Sequence, residues 1–344
     1  MVSETGFSQE RKRVVIEQAD YWEADEKIAP GAQRLIGDVR IRHENVLMWA
    51  DSAYTYTGNN RVDAFGNVRI NQGDTLNLYA SKIIYNGDAD HARAYQNVRL
   101  INKTTTLFTD TLDYDLATKI GYYEQGGKIV DSLNTLTSVE ARYFTETDVV
   151  HFYRNVQAFN ENYNLTSDTL LYNTKTGRAF IVGPTTIKDS LNTIYAEEGW
   201  YDTETGEAEL LKNPQVYSKT QHLKAGYIKY NEADGNGRAL GNVRMEDIEN
   251  EIIVSGNTAL YNDQLEVATV TDSALFMMYS EKDTLFLHAD TLRTMPDTIP
   301  DEKLVKAYYG TRFFRTDIQG TCDSLIYFTK DSVVQLYKNP VIWS

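Results

Sequence analysis

Five histidines are the side chains best placed to do acid–base or metal chemistry near neutral pH: His43, His91, His151, His222 and His288. They are scattered, and none has a second His or a Cys at the spacing of a zinc site. Cys322 is the sole cysteine, which excludes an intramolecular disulfide and a Cys-based zinc cluster. No P-loop, nucleophile elbow or dinucleotide fingerprint occurs. Carboxylates are abundant but fall mainly in Asp-Ser or Asp-Thr phrases, as at Asp51, Asp110, Asp168, Asp272, Asp283, Asp290 and Asp323. Their recurrence points to strand starts or turns, because an acid–base pair would break a repeating pattern rather than follow it. Arg40, Arg69, Arg99 and Arg244 also recur and invite phosphate recognition. The plainer reading is an outward ladder paired with neighbouring acids. Asn102-Lys103-Thr104 and Asn164-Leu165-Thr166 match glycosylation sequons, a weak signal in a chain rich in Asn and Thr. The expectation is a protein without catalytic residues, metal or cofactor.

Composition narrows the class. The 344 residues carry a net charge of −15, include 24 tyrosines and only 6 prolines, and are 42% apolar. Tyr, Thr, Val and Ile pack well on a pleated surface, so the chain reads as all-β. Nucleic-acid binding needs clustered cations and is excluded, as is a polybasic membrane-surface mode. No apolar run approaches the ~20 residues that cross a bilayer as a helix.

The elements that would position any site are repeats. The phrase Gly66-Asn67-Val68-Arg69-Ile70 returns as Gln96-Asn97-Val98-Arg99-Leu100 and as Gly241-Asn242-Val243-Arg244-Met245. Tyr56, Tyr85, Tyr114, Tyr143, Tyr172, Tyr201 and Tyr230 recur every 29 residues, followed by Tyr261 and Tyr327. About eleven repeats of ~29 residues fill the chain, each with two strands. Two residues after each anchor stand Ile41, Ile70, Leu100, Val130, Ala158, Ile187, Val216, Met245, Ala274, Phe314 and Ile342. Polar residues separate anchor and stripe, as one buried and one wet face demand. A second stripe precedes the tyrosines: Tyr54, Ile83, Leu112, Ala141, Leu170, Gly199, Ile228, Ala259 and Leu325. The apolar phase changes inside 75–85, which predicts a bulge where the strand passes from one sheet to another. Asn173–Gly177, Asp202–Gly206 and Asn231–Gly235 read as hairpin turns, so neighbouring strands are expected to be antiparallel. The segment 293–303 carries two prolines and reads as a hinge or a protruding loop.

The strand phrase Ala64–Ile70 followed by Asp74–Tyr85 resembles the OstA-like family of lipopolysaccharide transport proteins. The flow of residues 13–344 is similar to the large OstA-like proteins of Bacteroidetes. The resemblance implies an elongated antiparallel β-jellyroll with two sheets in a V over 13–344, preceded by a flexible segment 1–12. It implies a non-enzymatic periplasmic bridge, its signal peptide removed, whose groove carries the lipid A acyl chains of lipopolysaccharide. Ile41, Val68, Ile70, Val98, Leu100 and Ile187 would line one wall of that groove, and Ile83, Leu112, Leu170 and Ile228 the other. Implied partners are the inner-membrane and outer-membrane transport components, joined by stacking of strand edges, and a further copy of the chain end to end. The residues themselves leave a second reading open: a structural or adhesive repeat protein whose stripes form a filled core.

Overall fold

Gly66 and Asn67 both adopt the left-handed backbone region, with φ of 72° and 42°, in the middle of the strand Arg61–Gln72. Such a pair is costly for most residues and cheap for Gly and Asn. It produces a bulge: Phe65 pairs with Lys82 and Val68 with Ala80, so one strand carries two unpaired residues. The same device recurs at Gly37-Asp38, Gln96-Asn97, Arg154-Asn155, Gly241-Asn242, Asp272-Ser273 and Tyr309-Gly310. The repeated Gly-Asn phrase is therefore the corner at which each strand leaves one sheet for another.

The computed structural model describes residues 13–24, 31–56, 58–262, 264–280, 283–296, 303–329 and 333–344. The proposed flexible segment 1–12 lies outside them. Among the described residues every regular element is a β-strand, and the pairings are antiparallel. The chain divides into two compact units. The first comprises the residues up to Ala158 with Tyr172–Lys175. The second comprises Phe159–Leu171 with the residues from Thr176 onward.

In the first unit a meander runs through Gln33–His43, Val46–Tyr56, Arg61–Gln72, Leu76–Asn86, His91–Asn102 and Thr105–Asp115. The bulges split every ladder into two halves. Residues 39–43, 46–50, 68–72, 76–80 and 98–102 form what we call sheet I. Residues 33–36, 52–56, 61–65, 82–86 and 91–95 form sheet II. After Thr105–Asp115 the two sheets use separate short strands. Its residues 106–109 pair with Gly127–Val130 in sheet I, and its residues 113–115 with Ile120–Tyr123 in sheet II. The sheets face one another: a Cβ at Gly121 of sheet II would stand 3.4 Å from Leu100 Cδ2 of sheet I.

The second unit repeats the plan. Sheet I is carried by Thr185–Lys188, Thr193–Ala196, Gln215–Tyr217 and Gln221–Lys224. Sheet II is carried by Arg178–Ile181, Glu198–Asp202, Glu207–Lys212 and Tyr227–Asn231. Both meet again on Asn236–Asp247, after which bent strands continue to Ile318–Phe328. The turns are as expected: Asp202 Oδ1 accepts from the amides of Glu204 and Thr205, and Gly206 takes φ of 68°. Within the 293–303 insertion, residues 293–296 pair with 303–306 at the end of a long hairpin. Residues 297–302 lie outside those described.

The phase of the stripes holds with four exceptions. Val130 and Phe314 point outward, and Ile129 and Phe313 take the inward places, because these two repeats bend one residue earlier than the Val68 alignment assumes. Tyr54 and Tyr56 also lie outside, where Arg34 and Arg61 cover their rings, while Ala53 and Thr55 are buried. Ile342 is half-exposed.

Candidate functional site

The space between the sheets is the candidate site. All ten predicted lining residues point into it. Ile41, Val68, Ile70, Val98, Leu100 and Ile187 come from sheet I, and Ile83, Leu112, Leu170 and Ile228 from sheet II. Each is at most 3% exposed, so each packs as core. They do not form one locus, since Leu170, Ile187 and Ile228 belong to the second unit and the others to the first.

The edge opposite the corners is where a V-shaped body would be open. In the first unit tyrosines close it. Tyr85 reaches from sheet II to His43 at the end of sheet I, with Oη and Nδ1 2.7 Å apart. Asn102 Nδ2 donates to the Tyr143 hydroxyl at 3.1 Å and to the Thr145 carbonyl at 3.0 Å. The Tyr172 hydroxyl donates to Asp131 at 2.7 Å and accepts from Asn134 at 2.6 Å. Lys103 reaches Asp148 at 2.8 Å across the same edge. Burial pushes the Tyr114 hydroxyl up to about 12, and raises those of Tyr85 and Tyr143 as well. Tyr85, Tyr114 and Tyr143 thus stay neutral hydrogen-bonding groups across the physiological range.

Each of these rings rests beside a small or slender residue on the neighbouring strand. In sheet II the cross-strand row runs Val62, Tyr85, Ala92, Tyr114, Gly121, Tyr143, Val150. The second unit continues the rule with Ala179, Tyr201, Ala208, Tyr230, Gly237, Tyr261. Residues 92, 121, 150, 179, 208 and 237 recur every 29 positions, a signal legible in the sequence beside that of the tyrosines.

In the second unit the interior loosens. Sheet I carries the inward row Ile187, Ile194, Val216, Leu223, Met245, Val254. Its ends are buried, but Ile194, Val216, Leu223 and Met245 are partly exposed. Opposite them Tyr201, Tyr230 and Tyr261 are also partly exposed, and Tyr230 and Tyr261 stack on each other at 6.3 Å. The loose stretch is bounded by an edge-to-face contact of Tyr163 with Tyr201 at 5.6 Å. On its other side lies the ion pair of Lys303 with Asp247 at 3.7 Å. Sequence periodicity marked Val216 and Met245 as inward, but carries no sign that this part of the interior is more open. Ile194 and Leu223 escaped notice because they sit on the returning arm of each repeat.

Residues 11–168 match the family described as OstA-like protein. That stretch, a little under half of the chain, is similar to the OstA-like family. Residues 120–219 also match a second family, lipopolysaccharide-assembly, LptC-related. At the level of these families, the matched stretches point to lipopolysaccharide assembly and transport. No curated protein matches it. Among solved structures it is similar to LptH from Pseudomonas aeruginosa, described as the LptA-homologous periplasmic component of the conserved lipopolysaccharide transport device. That likeness has 13% sequence identity and a TM-score of 0.32, and covers 36% of this chain and 94% of LptH.

Proposed function

We propose that this chain is a non-catalytic periplasmic carrier in lipopolysaccharide transport that holds the acyl chains of lipid A between its two sheets. The observation that carries the reading is the partly exposed apolar row Ile194, Val216, Leu223 and Met245, faced by Tyr201 and Tyr230. A methylene moved from water onto such a surface gains about 0.8 kcal/mol without any directional demand. A repeat of apolar side chains can therefore hold acyl chains of differing length. Within the second unit Leu170, Ile187 and Ile228 would add to this surface, and the other seven inward residues predicted from the sequence would offer a like surface within the first. They become accessible there only if the sheets part. Strand edges would join the chain to inner- and outer-membrane transport components or to another copy.

The test is photo-crosslinking of lipopolysaccharide in cells from a probe at Val216, with the outward Gln215 as control. Adducts at Val216 alone support the groove. Adducts at neither position, in a folded protein, remove it.

A second reading has its own support in the first unit. There the inward side chains fill the interior, and the tyrosine contacts close its edge. This favours a load-bearing core for that unit, with lipid contact concentrated in the second.

A further inference from the structure

The recurring arginines are only partly explained by acidic neighbours. Arg40 pairs with Glu17 at 2.8 Å and Arg244 approaches Glu246 at 3.5 Å. Arg69 instead bonds Asn77 at 2.8 and 3.1 Å, and Arg99 and Lys128 have no carboxylate partner among the described residues. All but Arg244 stand in one cross-strand row on the outer face of sheet I in the first unit. The row alternates cation and ring: Arg40, Trp49, Arg69, Tyr79, Arg99, Phe108, Lys128. Arg69 lies 4.9 Å from the Trp49 ring centroid and 5.8 Å from that of Tyr79, and Arg99 lies 4.6 Å from Tyr79. Lys128 lies 5.0 Å from Phe108.

The geometry points to a binding site for a multiply phosphorylated saccharide along Arg69, Arg99 and Lys128. Stacking on rings engages the faces of a guanidinium and leaves its N–H edges for a ligand. Asn77 takes the Nε/Nη2 edge of Arg69, which leaves its Nη1 side. Among the described residues no carboxylate takes the fork of Arg99, whose planar geometry matches the oxygens of a phosphate. The cations occupy every second strand, so they stand about 10 Å apart at ~4.8 Å per strand. That spacing suits anionic groups on successive sugars rather than one compact ion. The half-buried Trp49 and Tyr79 between them offer apolar edges for the C–H faces of pyranose rings. Among the described residues the only carboxylate salt-bridged to the row sits at its Arg40 end. In a chain of net charge −15 most of the surface repels anions, so an unneutralised row localises them. This site lies outside the groove and does not depend on the acyl-chain reading.

The test is calorimetric titration of the full chain with a deacylated, phosphate-bearing lipopolysaccharide oligosaccharide. The parallel arms use the same oligosaccharide after phosphatase treatment and inorganic phosphate alone. The site predicts saturable binding that weakens at least tenfold on dephosphorylation and at least tenfold in the double variant Arg69→Gln, Arg99→Gln. Arg142→Gln, on the outer face of sheet II, should leave it unchanged. The midpoint of thermal unfolding of each variant separates loss of the site from loss of the fold. Absence of binding by the unaltered chain overturns the assignment. So does equal affinity for the dephosphorylated sugar, for inorganic phosphate or in the double variant. Crosslinking at Val216 reads the groove separately, so either site can fail alone.

Discussion

The Tyr172 hydroxyl donates a 2.7 Å hydrogen bond to the Asp131 carboxylate across the edge where the two sheets would otherwise part. Asn134, 2% exposed, donates to the same oxygen. Tyr172→Phe removes both bonds and leaves a buried amide short of a partner. We expect a loss of about 1–3 kcal/mol, measured by denaturant unfolding. A change within error would show that the contact does not hold the edge closed.

Alkaline pH should weaken the first unit, at this edge through Tyr114 and at the corner through Tyr123. Burial raises the Tyr114 and Tyr123 hydroxyls to about 12, above the value near 10 of an unfolded chain. The folded state therefore holds these protons more tightly. Its stabilisation is fully present below pH ~10 and is lost as pH rises towards 12. The unfolding midpoint should fall across that window. Tyrosinate absorbance in the folded protein should lag behind that of an unfolded control.

The corners make a paired prediction. Gly66 has φ of 72°, and a Cβ there would stand 2.4 Å from an Asp51 carboxylate oxygen. Gly66→Ala should cost at least about 1–2 kcal/mol, the penalty of the left-handed region for an L-residue. Gln96 occupies the equivalent place with φ of 61°, so Gln96→Gly should be neutral or stabilise by up to about 1 kcal/mol. A gain on Gln96→Gly in denaturant titrations would support backbone strain at the corner, whereas the loss on Gly66→Ala adds the Asp51 contact to it.

Two glycines report on how tightly each unit is filled. A Cβ at Gly127 would stand 2.5 Å from the Tyr123 ring, and one at Gly237 would stand 1.8 Å from the Tyr261 ring. Tyr123 is buried and bonded to Ser138, whereas Tyr261 is partly exposed and can swing outward. Gly127→Ala should cost about 1–3 kcal/mol by overpacking, and Gly237→Ala distinctly less. Gly237→Ala should also raise the solvent exposure of Tyr261, read by fluorescence quenching or solvent-accessible NMR signals.

The period, the antiparallel pairing and the corners were legible because each rests on a local backbone demand. Gly66-Asn67 announces a left-handed pair, and Asp202 to Gly206 announces a turn. The face of each strand was legible wherever the anchor aligned, and slipped by one at Val130 and Phe314, where no Gly-Asn phrase marks the bend. The state of the interior was not legible. Ile70 and Val216 occupy equivalent places in the repeat, and both are apolar. Whether they are sealed depends on partners some 40 residues away, such as His43 for Tyr85 and Asp131 for Tyr172. Such contacts leave no trace in a 29-residue period.

The central claim is that acyl chains contact the inner face of the second unit. The most direct measurement is crosslinking from a probe at Leu223, with His222 on the opposite face of the same strand as control and Leu100 as the sealed counterpart in the first unit. The account predicts lipopolysaccharide adducts at Leu223, none at His222 and few at Leu100. Adducts at His222 but not Leu223, or at none of the three in a correctly folded and localised protein, would contradict it.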